Sequence, residues 1–449
     1  MTDSGYPRTV YEWRRGTPLS EATKVYEGEK SDVAVSGYAY LDRGHRYELR
    51  SRSITFYTSA YEARRPGGSF SPPSLPLSLP YRAYEVRRPD GSFSEVPVPE
   101  DADIETFADQ LLVTLRTARE RAGRWPEMER RGAAERSCAF DSDLSDQAWL
   151  GHEAGALLAA PLEPFLDADG DEARRSLLVP LFTPTESCSL EGSSATKSRL
   201  VLSVLQDVVN ESRFWRYAAG AWSLEQTVRS EGCTPPSPPL GARVGGGRDS
   251  PLPTTRYAVS SFSAVDAEAG DAVWTTTSSY TQPTALSLAD AGSPLEQEPL
   301  KSLPAFFNAD GLKTQQLFAT SADGTRVPYF LVSKEGLPLD GSTPTLLYGC
   351  RRPRGPPLAA RAQRALLLDR YGGFEISLTP GYSGGVGAAW LEKGHAYVQA
   401  NIRGGGEYGP RWHQAALKEK RNKAYEDFEA ASRDPTSRVA RRVASRPQL

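Results

Sequence analysis

The sequence predicts a β-propeller followed by the first part of an α/β-hydrolase domain, and three observations support this prediction. Residues 1 to about 300 contain many short apolar runs between turn residues, without long helical periodicity. From about Leu303 onwards, a hairpin, short buried strands and a helical segment alternate. The length of 449 residues is enough for two domains. We place these domains at residues 1–302 and 303–449.

The strands and the length of the first domain indicate a propeller. Its runs rich in Val, Leu, Tyr, Phe and Thr lie at 32–41, 45–59, 111–115, 200–205, 256–262 and 273–280. Many short strands with turn signals are typical of a sandwich, a barrel or a propeller. The span favours the propeller, because several four-stranded blades of about 40 to 45 residues fit into it. No blade signature repeats cleanly, so the number of blades stays open.

The second domain begins with the pattern of a β-hairpin. The runs 314–321 and 326–333 flank Ala322-Asp323-Gly324-Thr325, and Asp-Gly is a strong turn signal. Short strands are predicted at 345–348 and 396–402, and a helix over 411–431. Pro410 suits the first turn of that helix. A hairpin followed by alternating strands and helices is how an α/β-hydrolase sheet begins.

The composition argues against several classes of function. Lys and Arg total 53 and Asp and Glu total 56, so the net charge of −3 provides no basic surface for nucleic acid. No stretch approaches the roughly 20 consecutive apolar residues of a membrane helix, and the first thirty residues contain no secretory apolar region. The four cysteines are far apart, which favours a reduced, cytoplasmic setting. The four scattered histidines predict neither a metal site nor a cofactor.

Residues 350–370 have a composition foreign to the compact region around them. The segment, CRRPRGPPLAARAQRALLLDR, contains six Arg and three Pro. A basic run of this kind can form an interaction patch. We favour the simpler interpretation, an inserted or mis-spliced segment.

Residues 303–430 closely resemble the start of the peptidase domain of the prolyl oligopeptidase family. The words YGGF at 371–374, ANIRGGGEYG at 400–409 and WHQAALKEKRNKAYEDF at 412–428 occur in family order. The upstream part resembles the later portion of that family's seven-bladed propeller. In the family TLLYG, here 345–349, runs directly into YGGF, which supports the interpretation of 350–370 as an insertion. The resemblance implies a chain truncated at both ends, with an incomplete propeller.

The resemblance implies a serine-type endopeptidase that hydrolyses short peptides after proline. Tyr371 matches the tyrosine whose hydroxyl helps to form the oxyanion hole, and Phe374 matches a residue lining the proline pocket. From the residues alone, core packing would be the better interpretation of both. The resemblance implies short proline-containing peptides as partners and a monomer that requires no cofactor, nucleic acid or membrane.

The family's nucleophile, acid and base follow in the order Ser, Asp, His, downstream of the segment that resembles 441–449. We therefore expect the chain as given to lack these three residues and to be inactive. Two alternatives remain open. One is a non-catalytic propeller that serves as an interaction module, and the other is the product of a truncated gene model.

Two short motifs could be mistaken for catalytic or cofactor sites. Gly381-Tyr382-Ser383-Gly384-Gly385 satisfies the G-x-S-x-G pattern of a nucleophile elbow. An elbow needs a buried strand immediately before it, whereas Thr379-Pro380 precedes this one, so Ser383 is predicted to be a loop serine. The glycines of 404–409 match a dinucleotide fingerprint, but the acids that follow lie in a predicted helix. We expect a tight turn beneath the active site instead.

Overall fold

The computed structural model describes residues 1–53, 59–62, 84–87, 93–99, 102–116, 149–229, 248–251, 257–338, 343–349, 368–370 and 375–434. The chain forms two compact units, Met1–Thr183 and Pro184–Leu449. The boundary between these units falls inside the predicted propeller, and the predicted domain boundary at 302/303 stays a prediction. Tyr371, Phe374 and residues 350–367 of the predicted insertion lie outside the described residues.

The first unit consists mainly of small antiparallel sheets. Its strands are β1 (Thr9–Glu12), β2 (Thr23–Glu27), β3 (Ala34–Asp42), β4 (His45–Ser53), β5 (Ser59–Glu62), β6 (Tyr84–Arg87), β7 (Phe93–Val96), β8 (Asp103–Phe107), β9 (Gln110–Thr114), β10 (Leu157–Pro161) and β11 (Val179–Phe182). A single 3₁₀ turn, Leu19–Glu21, precedes β2. The last four strands form one sheet in the order β11-β10-β9-β8. Helices α1 (Leu162–Asp167) and α2 (Gly170–Leu177) connect β10 to β11.

The second unit begins with two sheets whose strands follow one another in chain order. Their strands are β12 (Cys188–Ala195), β13 (Arg199–Gln206), β14 (Val209–Ala218), β15 (Ala221–Arg229), β16 (Arg248–Pro251), β17 (Val259–Ala264), β18 (Ala272–Ser278), β19 (Ala285–Asp290) and β20 (Ser293–Ser302). β12 to β15 and β17 to β20 are antiparallel meanders, and β16 adds to β15 in parallel. Phe214 and Phe262 pack edge to face at 5.0 Å between the two sheets. Four-stranded meanders that pack face to face are what the predicted propeller requires.

A third, mixed sheet follows in the second unit. Its strands are β21 (Leu312–Thr320), β22 (Arg326–Lys334), β23 (Thr345–Gly349), β24 (Leu368–Arg370) and β25 (Ala396–Ala400). The order is β21-β22-β25-β23-β24, with β21 and β22 antiparallel to their neighbours and β25, β23 and β24 parallel. Seven consecutive residues of β22 are buried, as expected for a strand covered on both faces.

The helical elements of this part are short. They are α3 (Gly384–Val386), a π turn (Gly387–Leu391), α4 (Pro410–Gln414), a 3₁₀ turn (Lys418–Arg421) and α5 (Asn422–Arg433). Among the described residues, no helix is long and apolar enough to cross a membrane.

Two differences from the sequence-based expectations concern this region. The predicted hairpin is confirmed as β21 and β22, but the helix predicted over 411–431 is broken after α4. Trp412 Nε1 donates to Ile402 O at 3.0 Å, and Trp412 belongs to the same apolar cluster as Ala424 and Phe428 of α5, so both helices pack on one surface of the mixed sheet. Leu417 between them is extended. The last three residues of the predicted insertion form β24, with Leu368 opposite Leu347 of β23.

We predict that Gly387→Ala lowers the stability of the second unit. A Cβ at this buried glycine would lie 1.8 Å from Cδ1 of Phe307, whose ring stacks on Tyr382 at 5.1 Å. Displacing the ring should cost about 1–3 kcal/mol, which urea unfolding measures. Gly385→Ala is the matched control, because nothing lies within 4 Å of a Cβ there. Equal stabilities of the two variants would contradict the prediction.

Candidate functional site

The segment 375–380, directly after the YGGF word, is held by side chains at the end of β25. Asn401 Nδ2 donates to Leu378 O at 2.6 Å, and Gln399 Nε2 donates to the same oxygen at 3.1 Å. Leu378 N donates to Glu407 Oε1 at 3.0 Å. Both main-chain groups of Leu378 are therefore bound by side chains, in a stretch that is neither helix nor strand.

Glu407 is a fully buried carboxylic residue with an incomplete set of partners. Oε1 accepts from Leu378 N and, at 3.1 Å, from Asn401 Nδ2. Oε2 of Glu407 and Oδ1 of Asn401 have no hydrogen-bond partner among the described residues. Burial raises the pKa of Glu407 to about 7, although the bonds from Leu378 and Asn401 lower it. The group therefore titrates near neutral pH.

The glycines of the loop 404–409 make room for protein groups. A Cβ at Gly405 would lie 2.1 Å from Oε2 of Glu407, and one at Gly406 would lie 2.3 Å from Glu375 O. Gly404 and Gly409 have φ of 105° and 76°, in the left-handed region that favours glycine. The loop closes around its own carboxylic side chain and the segment at 375, which supports the predicted tight turn over a dinucleotide site.

The same loop is anchored to the sheet of β12 to β15. Ser189 Oγ donates to Glu407 O at 2.7 Å, and this bond is buried. The Tyr408 hydroxyl donates to Asp207 Oδ1 at 3.0 Å. Burial, followed by the negative charge of Asp207, raises the pKa of Tyr408 well above its usual range. Tyr408 is therefore a neutral donor at any physiological pH.

A buried ion-pair network fixes the start of the loop. Arg403 forms a bidentate pair with Asp427 of α5, with Nε to Oδ2 at 2.9 Å and Nη2 to Oδ1 at 2.6 Å. Its Nη1 donates to Asp323 Oδ2 at 2.5 Å, which holds the pKa of that carboxyl well below its usual range. Ser321 Oγ also donates to Asp427 Oδ1 at 2.6 Å. These bonds tie the β21–β22 turn to α5 through Arg403.

His413 contacts the loop 404–409 and the segment 375–380, which Glu407 also connects. Its Nδ1 lies 2.7 Å from Gly404 O and 3.1 Å from Glu375 N. Nδ1 can bond only one of these groups at a time. It donates to the carbonyl of Gly404 when it carries a hydrogen, and it accepts from the amide of Glu375 when it carries none. The tautomer of His413 therefore decides which of the two groups it bonds.

The structure places Ser383 on an exposed loop, as predicted. Its Oγ accepts from Val386 N at 3.4 Å as the N-cap of α3, and its φ of −127° is extended rather than strained. His395, a candidate base for such a serine, packs against the ring of Trp390 at 4.6 Å. The described part of the chain contains no cluster of three or more His, Cys, Asp or Glu that could hold a metal ion.

Sequence reasoning missed the side chains that hold Leu378. Gln399, Asn401 and Glu407 are 5%, 0% and 1% exposed. Gln399 and Asn401 gave a signal as polar residues at the end of an otherwise apolar strand, and Glu407 gave one as an acid in the glycine-rich loop that follows. Tyr371 and Phe374, the two predicted site residues, lie outside the described residues, and their roles stay predictions.

The chain is similar in sequence to known peptidases. Residues 383–438 match the profile of the prolyl oligopeptidase family. Over 452 aligned residues the chain is 31% identical to the uncharacterized peptidase y4nA of Sinorhizobium fredii, covering 100% of this chain and 48% of that protein. A prolyl endopeptidase of Elizabethkingia miricola is 42% identical over 125 residues, 28% of this chain and 15% of that protein.

The chain is similar in sequence to the prolyl oligopeptidase family, as the resemblance predicted. A solved structure of a post-proline cleaving enzyme from Rickettsia typhi superimposes with a TM-score of 0.65 at 23% identity, over 98% of this chain and 50% of that one. This likeness confirms the predicted fold class, a β-propeller followed by α/β-hydrolase structure. The chain spans about half the length of the relatives that it matches from end to end.

We predict that Glu407 makes the stability of this chain depend on pH. Its pKa is about 7 when folded and near the ordinary glutamate value of 4.5 when unfolded, so the folded state binds the proton more tightly. The stabilisation is complete below pH 4.5 and is lost as pH rises through 7, by on the order of 3 kcal/mol. Urea unfolding between pH 5 and 8 should show this loss.

Glu407→Gln should flatten the pH profile, because glutamine does not titrate. Glu419→Gln is the matched control, because Glu419 is exposed. A wild-type profile that runs parallel to that of Glu407→Gln would contradict the assignment.

We predict that Arg403→Leu destabilises the chain by about 3–5 kcal/mol, because Asp427 is left as an uncompensated buried charge. Thermal and urea unfolding measure this loss. Arg433→Leu removes the exposed pair with Glu429 and should change stability by less than about 1 kcal/mol. The double variant Arg403→Leu/Asp427→Leu should recover part of the loss. Recovery of none of it would show that the charge of Asp427 is not the cause.

Proposed function

We propose that this chain functions in a serine-type endopeptidase that hydrolyses short peptides after proline. Relatives named prolyl endopeptidase, from two Elizabethkingia species, match 125 residues of it, 28% of the chain. The observation that carries the proposal is the clamp on Leu378, by which we mean the hydrogen bonds between its main chain and the side chains of Gln399, Asn401 and Glu407. This clamp holds the segment that follows the YGGF word. A site that binds a transition state needs rigid support of this kind behind its contacting residues.

In this proposal the hydroxyl of Tyr371 donates a hydrogen bond to the oxyanion that develops during acyl transfer. Such a donor accelerates the reaction only when it is already aimed at the position of the developing charge. Phe374 supplies an apolar face for the pyrrolidine ring of the substrate proline. Asn401 and Glu407 contact neither substrate group and act by holding Leu378.

We also propose that this 449-residue chain alone has no peptidase activity. Ser383 is the serine of its G-x-S-x-G word, and it caps a helix on an exposed loop instead of following a buried strand. Without a serine activated by a base, acyl-enzyme chemistry does not start. The chain then contributes substrate-binding structure rather than turnover.

A fluorogenic Gly-Pro-aminomethylcoumarin peptide tests the absence of turnover. We expect the purified chain to release no more coumarin than its Ser383→Ala variant does. Release that disappears in Ser383→Ala would overturn this part of the proposal and identify Ser383 as a nucleophile.

A fluorescently labelled Gly-Pro peptide tests binding by anisotropy. Phe374→Ala should weaken its binding about tenfold, which corresponds to the loss of roughly 1.4 kcal/mol of apolar contact. Trp274→Ala removes an exposed aromatic side chain of β18 and serves as the control. Equal affinities of wild type and Phe374→Ala would contradict the proposed pocket.

We propose further that the protein works as a cytoplasmic monomer. The support for a reducing compartment is Cys188, a free and buried cysteine whose pKa burial raises to about 11. Such a thiol behaves as a small apolar side chain rather than as a disulfide partner.

A further inference from the structure

The turn between β13 and β14 has an unusual backbone. Asp207 and Val208, its two central residues, have φ of 48° and 66°. Two-residue hairpins often need this conformation, but they usually place Asn or Asp before Gly. A β-branched residue such as Val is a genuine outlier in the left-handed region. Something outside the turn must therefore stabilise Val208 there.

The side chain of Val208 explains the choice of residue. It is 0% exposed and belongs to a buried apolar cluster with Phe330 and Val332 of β22 and Tyr397 of β25. Burial of the valine in that cluster offsets the backbone cost. The hairpin tip thus packs against the mixed sheet, and glycine at position 208 would lose the apolar contact with that sheet.

The side chain of Asp207 contacts the loop that carries Glu407. Its Oδ1 accepts from the Tyr408 hydroxyl at 3.0 Å and lies 3.7 Å from Arg326 Nη1. Its main-chain oxygen accepts from Gln316 Nε2. Tyr408 and Glu407 are neighbours in sequence, and Glu407 Oε1 accepts from Leu378 N at 3.0 Å. A short series of contacts therefore runs from the hairpin tip to the segment behind the YGGF word.

We propose that the Asp207–Val208 turn is a positioning element for the segment 375–380, acting through Tyr408 and Glu407. The turn fixes Tyr408, Tyr408 fixes the orientation of the loop 404–409, and that loop presents Glu407 to Leu378. Ser189, on the neighbouring strand β12, holds the main chain of the same loop and strengthens the link. The meaning of the segment for peptide binding rests on the function proposed above, but the coupling itself does not.

A purely local contact between two sheets would produce different behaviour. In that case, loss of the Tyr408 hydroxyl would lower overall stability and leave the local protection of Leu378 N unchanged. Under the proposal, the amide of Leu378 becomes free to exchange more readily than the amides of β22, because Glu407 loses its fixed position. The local rate of exchange distinguishes the two.

Hydrogen exchange of the full chain, followed by mass spectrometry or NMR, tests the proposal. Tyr408→Phe keeps the ring contact with Trp412 at 4.9 Å and removes only the hydroxyl. We expect exchange at 375–380 to become about tenfold faster, the effect of losing one hydrogen bond to a charged group. Asp207→Asn keeps an acceptor and tolerates the left-handed backbone, so it should stay close to wild type.

Tyr329→Phe is the matched control, because it also removes a tyrosine–aspartate hydrogen bond, 2.8 Å long, to Asp434. It should leave exchange at 375–380 unchanged relative to the rest of the sheet. Unchanged exchange in Tyr408→Phe, or an equal acceleration in Tyr329→Phe, would overturn the proposal. Peptide binding by the same variants is a separate measurement. If no Gly-Pro peptide binds while the exchange result holds, the proposed function fails and the coupling stands.

Discussion

The arrangement of this site depends on one requirement: main-chain groups in a partly buried, irregular segment must find hydrogen-bond partners. The segment 375–380 belongs to no helix or strand, so side chains supply the partners that a neighbouring strand would otherwise supply. Asn401 and Gln399 reach it because β25 ends beside it, and Glu407 reaches it because three glycines let the following loop turn back. The burial of these polar residues follows from that requirement.

Two buried acids in this region are stabilised in opposite ways. Asp427 is bound by the guanidinium of Arg403 in a bidentate pair and by a further donor, the hydroxyl of Ser321. Glu407 has only two neutral donors on one oxygen, so burial favours its protonated form near neutral pH. The first acid gives a fixed connection between secondary-structure elements. The second gives a connection whose charge changes within the physiological range.

The fold was predictable where the pattern is local. The short apolar runs of β13 and β18 and the Asp-Gly turn between β21 and β22 identified strands and a hairpin correctly. What escaped prediction depends on contacts between distant residues, such as the pairing of β24 with β23 and the break between α4 and α5. The clamp on Leu378 escaped for the same reason, since apolar periodicity says nothing about which polar side chains meet. The resemblance supplied Tyr371 and Phe374, which composition and spacing alone would have assigned to the core.

The close approach of Gly405 to Glu407 also constrains how the sequence can evolve. A Cβ at 405 would lie 2.1 Å from Oε2 of Glu407, so a side chain at 405 would displace the carboxylic group that binds the amide of Leu378. A larger residue at 405 would therefore require either a shifted carboxylic group or a shorter residue at 407, and with it a new acceptor for the amide of Leu378. The two positions are therefore expected to vary together, and a change at either one alone should be selected against.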